Sequence, residues 1–247
     1  MSAWLFDLGN TRLKCAPLRE DGAPGEAVAL PHRREDAAAA LAQVLPARFE
    51  VAYLASVADP ALRLAVLEAL GARCRRIAIA RTQARFGALR VAYAQPRRLG
   101  VDRFLALLAA HARGGAALVC GVGTALTVDL LDGDGLHRGG RIAPSPATMR
   151  EALHARAPQL PDTGGAYREF AADTDDALAS GCEGAALALI ERSRAAATEL
   201  LGRAPPLLLH GGGAAALAAH LPDAIEIPGL VLDGLARWAA VERAAGG

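Results

Sequence analysis

The chain has 247 residues, of which 53% are hydrophobic, 21% charged and 4% aromatic, and its formal net charge is +1. This length and hydrophobicity are typical of a globular protein with one large domain or two small ones, and they exclude an intrinsically disordered chain. The small net charge provides no general attraction to nucleic acid or to an anionic membrane, so we expect neither as a partner.

Signals for export and for structural metals are missing from the sequence. The apolar run at the N-terminus ends at Asp7, too early for a signal peptide, and no stretch reaches the roughly 18 apolar residues of a membrane span. The four cysteines lie far apart and form no CxxC pair. These features predict a cytoplasmic protein without a structural metal.

The first half of the chain has the hydrophobic pattern of an α/β lobe. Apolar segments at 3–8 and 12–18 flank the turn Gly9-Asn10-Thr11, which predicts a β-hairpin. The pattern then predicts a strand near 26–30, a helix over 35–45, a strand over 51–56, a helix over 60–71, a strand over 75–80, a loop over 85–102 and a helix over 103–113.

Gly114-Gly115 divides the chain, and a similar pattern follows it. A second hairpin is predicted from strands 116–121 and 125–131 around Gly121-Val-Gly-Thr124. The remaining predicted elements are a turn region over 133–140, helices over 146–156 and 175–201, a strand over 206–210, a short helix after Gly211–Gly213 and a last helix over 231–244. This repeat predicts two α/β lobes, residues 1–115 and 116–247, whose hairpins face one cleft.

The octapeptide from Asp7 to Lys14 contains two residue types that occur nowhere else in the chain. Lys14 is the one lysine among 27 basic residues, and Asn10 is the one asparagine. Gly9 allows the backbone to approach a ligand closely, while Asn10 and Thr11 offer short hydrogen-bond donors. Lys14 adds a compact positive charge. The octapeptide therefore predicts a phosphate-binding turn with Asp7 placed to hold Mg²⁺ through water, and an ordinary hairpin turn is the alternative.

Three other places allow both a functional and a structural interpretation. Gly123-Thr124 is either a second phosphate-binding turn or only a turn. Gly211–Gly213 fits the dinucleotide pattern G-x-G-x-x-A, but too little chain follows it, so a floor for a nucleotide base or close packing at a helix start fits better. Asp102 precedes a predicted helix, where a carboxylate serves as an N-cap or as a base that activates a hydroxyl group.

Five motifs in this order resemble those of type III pantothenate kinases, which belong to the acetate and sugar kinase, heat-shock chaperone and actin superfamily. They are Asp7–Lys14, Pro96-x-x-Leu-Gly-Val-Asp-Arg103, Gly123-Thr-Ala-Leu-Thr-Val-Asp129, Gly139-Gly-Arg-Ile-x-Pro144 and Thr174-Asp-Asp-Ala-Leu-Ala-Ser-Gly181. The resemblance covers residue 7 to at least residue 181. It implies two ribonuclease H-like lobes of the actin/sugar-kinase type with a nucleotide cleft between them.

The resemblance also implies the reaction, which is the ATP-dependent phosphorylation of pantothenate to 4'-phosphopantothenate at the start of coenzyme A biosynthesis. Asp102 would be the proton acceptor, and Thr124 would hold a phosphate from the opposite lobe. ATP phosphates and hydrated Mg²⁺ would contact Asp7, Leu8, Gly9, Asn10, Thr11, Arg12, Leu13 and Lys14. Pantothenate would be bound by Tyr93, Gly100, Val101, Asp102, Arg103 and, from the neighbouring subunit of a homodimer, Thr174.

Two positions depart from the family's pattern. Ser145 replaces the glycine that usually follows Pro144, and Gly121 stands where the family usually has the aspartate of Asp-x-Gly-Thr. In the family that aspartate helps to hold a monovalent cation, K⁺ or NH₄⁺. We therefore expect activity here to be nearly indifferent to K⁺ or to need it only at high concentration; the alternative is that a different side chain or a subunit partner restores the site. Asp129 follows eight residues later, about 26 Å away along an extended strand, too far to replace the lost group unless the chain folds back.

The missing carboxylate leaves two other functions open. One is a transcriptional accessory factor without catalysis, and the other is a kinase for another small alcohol or a sugar. Lys14, Asp102 and Thr174 are all retained, which favours the pantothenate kinase.

Overall fold

A computed structural model of the chain describes residues 2–31 and 37–245. Their contacts divide the protein into two compact units, one of Met1–Arg113 with Gly229–Gly247 and one of Gly114–Pro228. The predicted boundary near Gly114-Gly115 coincides with the start of the second unit. No helix in the described part of the chain is long and apolar enough to cross a membrane.

The first unit contains a five-stranded sheet in the order β3-β2-β1-β4-β5. Its strands are β1 (Ala3–Leu8), β2 (Arg12–Leu18), β3 (Val28–Pro31), β4 (Phe49–Ser56) and β5 (Cys74–Ile79). β1 pairs antiparallel with β2, as the predicted hairpin requires, and parallel with β4. The turn of the hairpin therefore lies at the same edge of the sheet as the carboxyl end of β4.

Helices α1 (Ala37–Val44) and α2 (Pro60–Gly71) cover one face of this sheet, where Phe6, Leu54 and Val66 share a core. Residues 35 and 36 of the predicted first helix lie outside the described residues. The predicted loop over 85–102 contains two short strands, β6 (Arg85–Phe86) and β7 (Leu89–Arg90), and a 3₁₀ turn at Pro96–Arg98. Helix α3 spans Val101–Ala112 and begins two residues earlier than predicted.

The second unit repeats this plan with a five-stranded sheet in the order β10-β9-β8-β11-β12. Its strands are β8 (Ala117–Val122), β9 (Ala125–Leu131), β10 (His137–Pro144), β11 (Leu207–His210) and β12 (Ala224–Glu226). As in the first sheet, the first three strands are antiparallel neighbours and the last two run parallel to the first. This topology confirms the predicted internal repeat. The turn predicted over 133–140 is wrong from residue 137 onward, because that part pairs with β9 as β10.

The helices of the second unit are α4 (Pro146–Arg156), α5 (Thr174–Leu201) and α6 (Ala214–Ala218). Cys120 and Val128 of the sheet, Ala186 and Ile190 of α5, and Leu217 of α6 share one apolar core. The 28-residue helix α5 therefore covers one face of the sheet, as its Ala- and Leu-rich sequence suggests.

The last helix, α7 (Leu230–Ala245), belongs to the first unit, so the prediction that the second lobe extends to residue 247 is wrong. Trp238 of α7 packs edge-on against Tyr53 of β4, with ring centroids 6.3 Å apart. Gly234 lies so close to the backbone of Leu105 in α3 that a Cβ has no room there. Helices α3 and α7 thus cover the second face of the first sheet.

Candidate active site

Asp7 and Lys14 lie directly opposite each other in the first hairpin, and Ala55 of β4 lies on the other side of Asp7. Side chains at directly opposed positions share one face of a sheet. The face here is the one that α3 and α7 cover, since Asp7 alternates with the core residue Phe6 of the other face. We call Lys14, Asp7 and Ala55 the Asp7 row.

The carboxyl group of Asp7 is a weaker acid than an ordinary aspartate. Its pKa is raised from the ordinary 3.8 to about 7, chiefly by burial and then by the negative charge of Asp102, while the positive charge of Lys14 acts in the opposite direction. The three side chains predicted to serve phosphate, metal and proton transfer therefore lie close enough to influence one another. A half-buried carboxylate close to a second carboxylate is a place where an added cation is favoured.

The other residues of the octapeptide either pack in the core or expose their side chains at the turn. Leu8 and Leu13 are 0% and 1% exposed, so their side chains anchor the hairpin in the core. The Gly9 backbone N–H donates to the carbonyl of Arg12 at 3.1 Å and closes the turn. The exposed side chains are those of Asn10, Thr11 and Arg12.

Asp102 is the second residue of α3, and Gly100 is the N-cap residue. The alternative role of Asp102 as an N-cap is therefore wrong, although a carboxylate in the first turn still interacts favourably with the helix dipole. Its Oδ1 atom would lie 2.5 Å from a Cβ at position 100, so the carboxylate folds back over Gly100. Val101 is buried beside them at 9% exposure.

Tyr93 and Arg103 form a second polar pair at the start of α3. The Arg103 guanidinium donates from Nη1 to the Tyr93 hydroxyl at 3.3 Å, and its Cζ lies 5.9 Å from the centre of the tyrosine ring. Arg103 is only 6% exposed, an unusual burial for a guanidinium. Thr82 fixes the preceding loop by donating to the carbonyl of Leu99 at 2.8 Å. The structure thus brings Tyr93, Gly100, Asp102 and Arg103 together in the first unit.

Thr124 forms the exposed tip of the second hairpin, which a Gly123 N–H to Ala125 carbonyl bond of 2.9 Å closes. The carbonyl of Thr124 accepts from the Thr148 hydroxyl at 2.7 Å and from the Ser145 N–H at 3.3 Å. Ser145 is also the N-cap of α4, where its hydroxyl accepts from the backbone N–H of Thr148. The departure from glycine at position 145 thus provides a helix cap that also supports the turn.

The glycine run Gly211–Gly213 packs against the end of β8. The Gly213 N–H donates to the Val122 carbonyl at 3.0 Å, and a Cβ at Gly213 would lie 2.8 Å from a methyl group of Val122. Gly211 has a φ of +99°, a conformation that favours glycine. Close packing accounts for these glycines, and the following helix α6 has only five residues.

His210 is a site residue that the sequence reasoning missed. It ends β11 directly opposite Gly121, which in turn lies opposite Thr127 of β9. A Cβ at position 121 would lie 2.8 Å from Thr127 Oγ1 and 2.9 Å from His210 Nε2. We call Thr127, Gly121 and His210 the Gly121 row. The one signal in the sequence was a polar residue at the carboxyl end of a strand that leads into a glycine run.

Thr174 lies in the second unit, exposed in the first turn of α5, while the other predicted pantothenate contacts lie in the first unit. Asp173 is the N-cap and accepts from the Asp176 N–H at 2.9 Å. Beside this turn, α4 and α5 border an apolar groove of about 430 Å³, lined by residues that include Met149, Leu153 and Leu178.

Comparison with solved structures shows the fold. A conserved protein from Campylobacter jejuni assigned to the Baf family of transcriptional activators has a TM-score of 0.61 at 21% identity, covering 95% of this chain and 96% of that one. The activator of 2-hydroxyisocaproyl-CoA dehydratase from Clostridium difficile, solved with bound ADPNP, has a TM-score of 0.52 at 11% identity, covering 100% and 96%. The predicted α/β fold of the actin/sugar-kinase type is confirmed.

Residues 4–196 match the family model described as type III pantothenate kinase. A type III pantothenate kinase from Stenotrophomonas maltophilia (strain K279a) is 59% identical over 239 residues, covering 97% of this chain and 98% of the relative. One from Xylella fastidiosa (strain M23) is 57% identical over 241 residues, covering 98% of both chains. The chain therefore belongs to the type III pantothenate kinase family.

Proposed function

We propose that this enzyme transfers the γ-phosphoryl group of ATP to the primary hydroxyl of pantothenate and forms 4'-phosphopantothenate, which enters coenzyme A biosynthesis. The observation that supports this most strongly is the grouping of Asp7, Lys14 and Asp102, in which burial and the charge of Asp102 outweigh the charge of Lys14 and raise the pKa of Asp7 to about 7. The chain's sole lysine and two carboxylates together match the needs of phosphoryl transfer, which depends on charge neutralisation and positioning.

The nucleotide end of the reaction is assigned to the octapeptide. Lys14 and the donors of Asn10 and Thr11 bind phosphate oxygens, and Thr124 contributes a hydroxyl contact from the second unit. Asp7 fits Mg²⁺ held through water, because this ion keeps much of its hydration and needs few protein carboxylates. Among the described residues no group of three or more His, Cys, Asp or Glu side chains forms a metal site. When bound, Mg²⁺ neutralises charge on the phosphates.

The acceptor end is assigned to the residues at the start of α3. The Arg103 guanidinium is buried and hydrogen-bonded to Tyr93, so it is already oriented to bind the carboxylate of pantothenate. Gly100 and Val101 shape the adjoining wall. This arrangement directs the far end of pantothenate, which carries the primary hydroxyl, to Asp102.

Asp102 acts as the general base. Its carboxylate accepts the hydroxyl proton while the hydroxyl oxygen bonds to the γ-phosphorus, and the bond from that phosphorus to the β,γ-bridging oxygen breaks to release ADP. The backbone of Gly100 leaves the carboxylate its folded-back position. Positioning of this kind supplies a large part of the rate in intramolecular reactions.

We further propose a homodimer in which Thr174 reaches the pantothenate of the neighbouring subunit. The apolar groove between α4 and α5 supports it, as do the exposed side chains of Ile142 (65%) and Leu153 (42%) nearby, since monomers rarely leave such surfaces uncovered. Light scattering should give a mass near twice 25.4 kDa for the active enzyme. A fully active monomer would contradict the shared site.

The four cysteines are free thiols in the structure, which suits a reducing compartment, and we place the enzyme in the cytoplasm with its nucleotide substrate.

The direct test of the activity is ADP formation from Mg-ATP with and without pantothenate, with small sugars and other primary alcohols as comparison acceptors. We expect ADP formation to require pantothenate. A protein that binds ATP but forms no ADP with pantothenate would be an accessory factor, and preference for another acceptor would identify a different small-molecule kinase. Either result would contradict the proposal.

A further inference from the structure

The Gly121 row is the counterpart of the Asp7 row in the second unit. Both central residues lie one position before the end of the leading strand, and each is flanked by one residue of the hairpin partner and one of the parallel strand. By this register Gly121 corresponds to Asp7, and His210 to Ala55. The second unit therefore has no carboxylate at the position where the first unit has one, and it has an imidazole where the first unit has a methyl group.

The side chains of His210 and Thr127 together leave little room for a side chain at position 121. A Cβ there would lie 2.9 Å from His210 Nε2, 3.0 Å from His210 Cε1 and 2.8 Å from Thr127 Oγ1. These distances are shorter than packed side chains adopt, so an aspartate at 121 has no room while His210 keeps its position. The imidazole occupies the volume that a carboxylate at position 121 would enter.

This row does not fit a monovalent cation, which needs several oxygen ligands and a compensating negative charge. It offers the hydroxyl of Thr127, backbone carbonyls and an imidazole, whose ring nitrogens include a hydrogen-bond donor in every protonation state. The nearest acidic side chain along β9 is Asp129. Asp129 is not remote as it would be along an extended strand, because the chain folds back, the exception allowed above, and Asp129 lies opposite Val119, two residues along β8 from Gly121.

The carboxylate of Asp129 nonetheless already pairs with His137. It is 2% exposed, and its Oδ1 lies 2.9 Å from Nε2 of His137, which is fully buried. Withdrawing this carboxylate to coordinate a cation would leave the buried histidine without that hydrogen bond, at a free-energy cost. The negative charge that a cation site needs is therefore absent from the Gly121 row.

We propose that His210 takes the place of the monovalent cation in this enzyme and supplies a hydrogen-bond donor for the nucleotide phosphates beside the second hairpin. The proposal rests on the assignment of ATP as the phosphoryl donor. His210 is suited to this role because it ends β11 at the same edge of the sheet as the Gly123-Thr124 turn. An imidazole fixed by the fold makes nucleotide binding independent of the cation in solution.

The test is calorimetric binding of a Mg²⁺ complex of a non-hydrolysable ATP analogue in K⁺, Na⁺ or tetramethylammonium chloride at equal ionic strength. For the wild type we expect the same Kd in all three salts. His210→Ala should weaken binding about 10- to 100-fold, as loss of a hydrogen bond to a charged ligand does, and His210→Gln should lose less because it keeps a donor. His220→Ala, a histidine of the second unit outside the row, is the matched control.

The double variant Gly121→Asp/His210→Ala sharpens the test, because it restores a carboxylate and removes the imidazole that fills its space. We expect K⁺ to tighten nucleotide binding in this variant only. Tighter binding by the wild type in K⁺, or an unchanged Kd in His210→Ala with an unchanged melting temperature, would overturn the proposal. Because this binding is measured without pantothenate, its result can be distinguished from a failure of the proposed kinase activity.

Discussion

The Asp7 row and the Gly121 row occupy equivalent places in two sheets of the same strand order, yet they differ in charge and in packing. The first presents the carboxyl group of Asp7 beside Lys14, and burial together with the charge of Asp102 raises the pKa of Asp7 to about 7. The second presents a bare backbone between a hydroxyl and an imidazole. The same strand order and register thus hold two different sets of side chains at equivalent positions.

The two units also differ in the residues proposed for the reaction. Asp102, Arg103 and Tyr93, which we assign to proton transfer and acceptor binding, all lie in the first unit, and Asp102 lies close enough to Asp7 to affect its pKa. In the second unit, the residues that we propose for phosphate binding are Thr124, whose turn is supported by Thr148 and Ser145, and His210. We therefore expect a change at Asp102 to affect turnover strongly, and changes in the Gly121 row, like those at Lys14, to affect nucleotide affinity.

The largest effect should come from Asp102→Asn, which keeps the shape of the side chain but removes the base. We expect kcat to fall about 10²- to 10⁴-fold with little change in melting temperature. Steady-state kinetics and thermal unfolding check this, with Asp134→Asn in an exposed turn as the control. Wild-type turnover in Asp102→Asn would restrict Asp102 to a helix-stabilising role.

The two rows can be compared directly by substituting the residue opposite each central position, Lys14 in the Asp7 row and Thr127 in the Gly121 row. Lys14→Gln should raise the KM for Mg-ATP about 10- to 100-fold, because a charged hydrogen bond is lost, whereas Thr127→Val should change it less than about 10-fold. Lys14→Arg tests whether a compact ammonium is required, with the exposed Arg19→Lys as control. Equal effects of the two substitutions would show that the rows do not differ as described.

The raised pKa of Asp7 predicts a pH dependence of stability. Between about pH 4 and 7 the folded protein keeps a proton on Asp7 that the unfolded chain has lost, so this stabilising contribution is complete below about pH 4 and disappears as the pH rises through 7. Asp7→Asn should therefore gain stability relative to wild type as the pH increases, while losing Mg-ATP binding. Urea unfolding of both proteins from pH 5 to 8 without nucleotide measures the difference, and a constant difference would contradict the shifted pKa.

The smallest effect is expected at Gly121, where an added methyl group meets only the ends of two side chains. Overpacking of this kind typically costs about 1–3 kcal/mol, which lowers the melting temperature by a few degrees. Adding His210→Ala to Gly121→Ala should recover part of that loss, because the imidazole contacts are removed while the contact with Thr127 Oγ1 remains. No recovery in the double variant would show that the imidazole does not confine position 121.

Local signals in the sequence predicted both hairpins, the helices α3 and α5, and the position of Asp102 near the start of α3. These features depend on turn residues and apolar periodicity, which act over short distances along the chain. The placement of α7 in the first unit could not be predicted in this way, since it depends on Gly234 meeting the backbone of Leu105 over a hundred residues away in the chain. The strand β10 could not be predicted for a related reason. Its glycines give it a weak local preference for a strand, and it forms one because it pairs with β9.

The same distinction between local sequence and strand pairing decides which residues of the candidate site could be predicted. The octapeptide was visible because its residue types are rare in this chain, whereas His210 becomes a site residue only through its register with Gly121. Register also corrected the position of Asp129, which is remote along the chain but close across the hairpin. Residue type predicted the chemistry of the first row, and only the pairing of strands reveals that of the second.

The central claim is that the first unit holds a reaction centre that phosphorylates the primary hydroxyl of pantothenate. Phosphorus–proton correlation NMR of the product from wild type, Mg-ATP and pantothenate tests it most directly. We expect one new phosphate ester coupled to the methylene protons of the primary alcohol, and none with Asp102→Asn over the same time. An ester on the other hydroxyl, or ATP consumption that leaves pantothenate unmodified, would contradict the account.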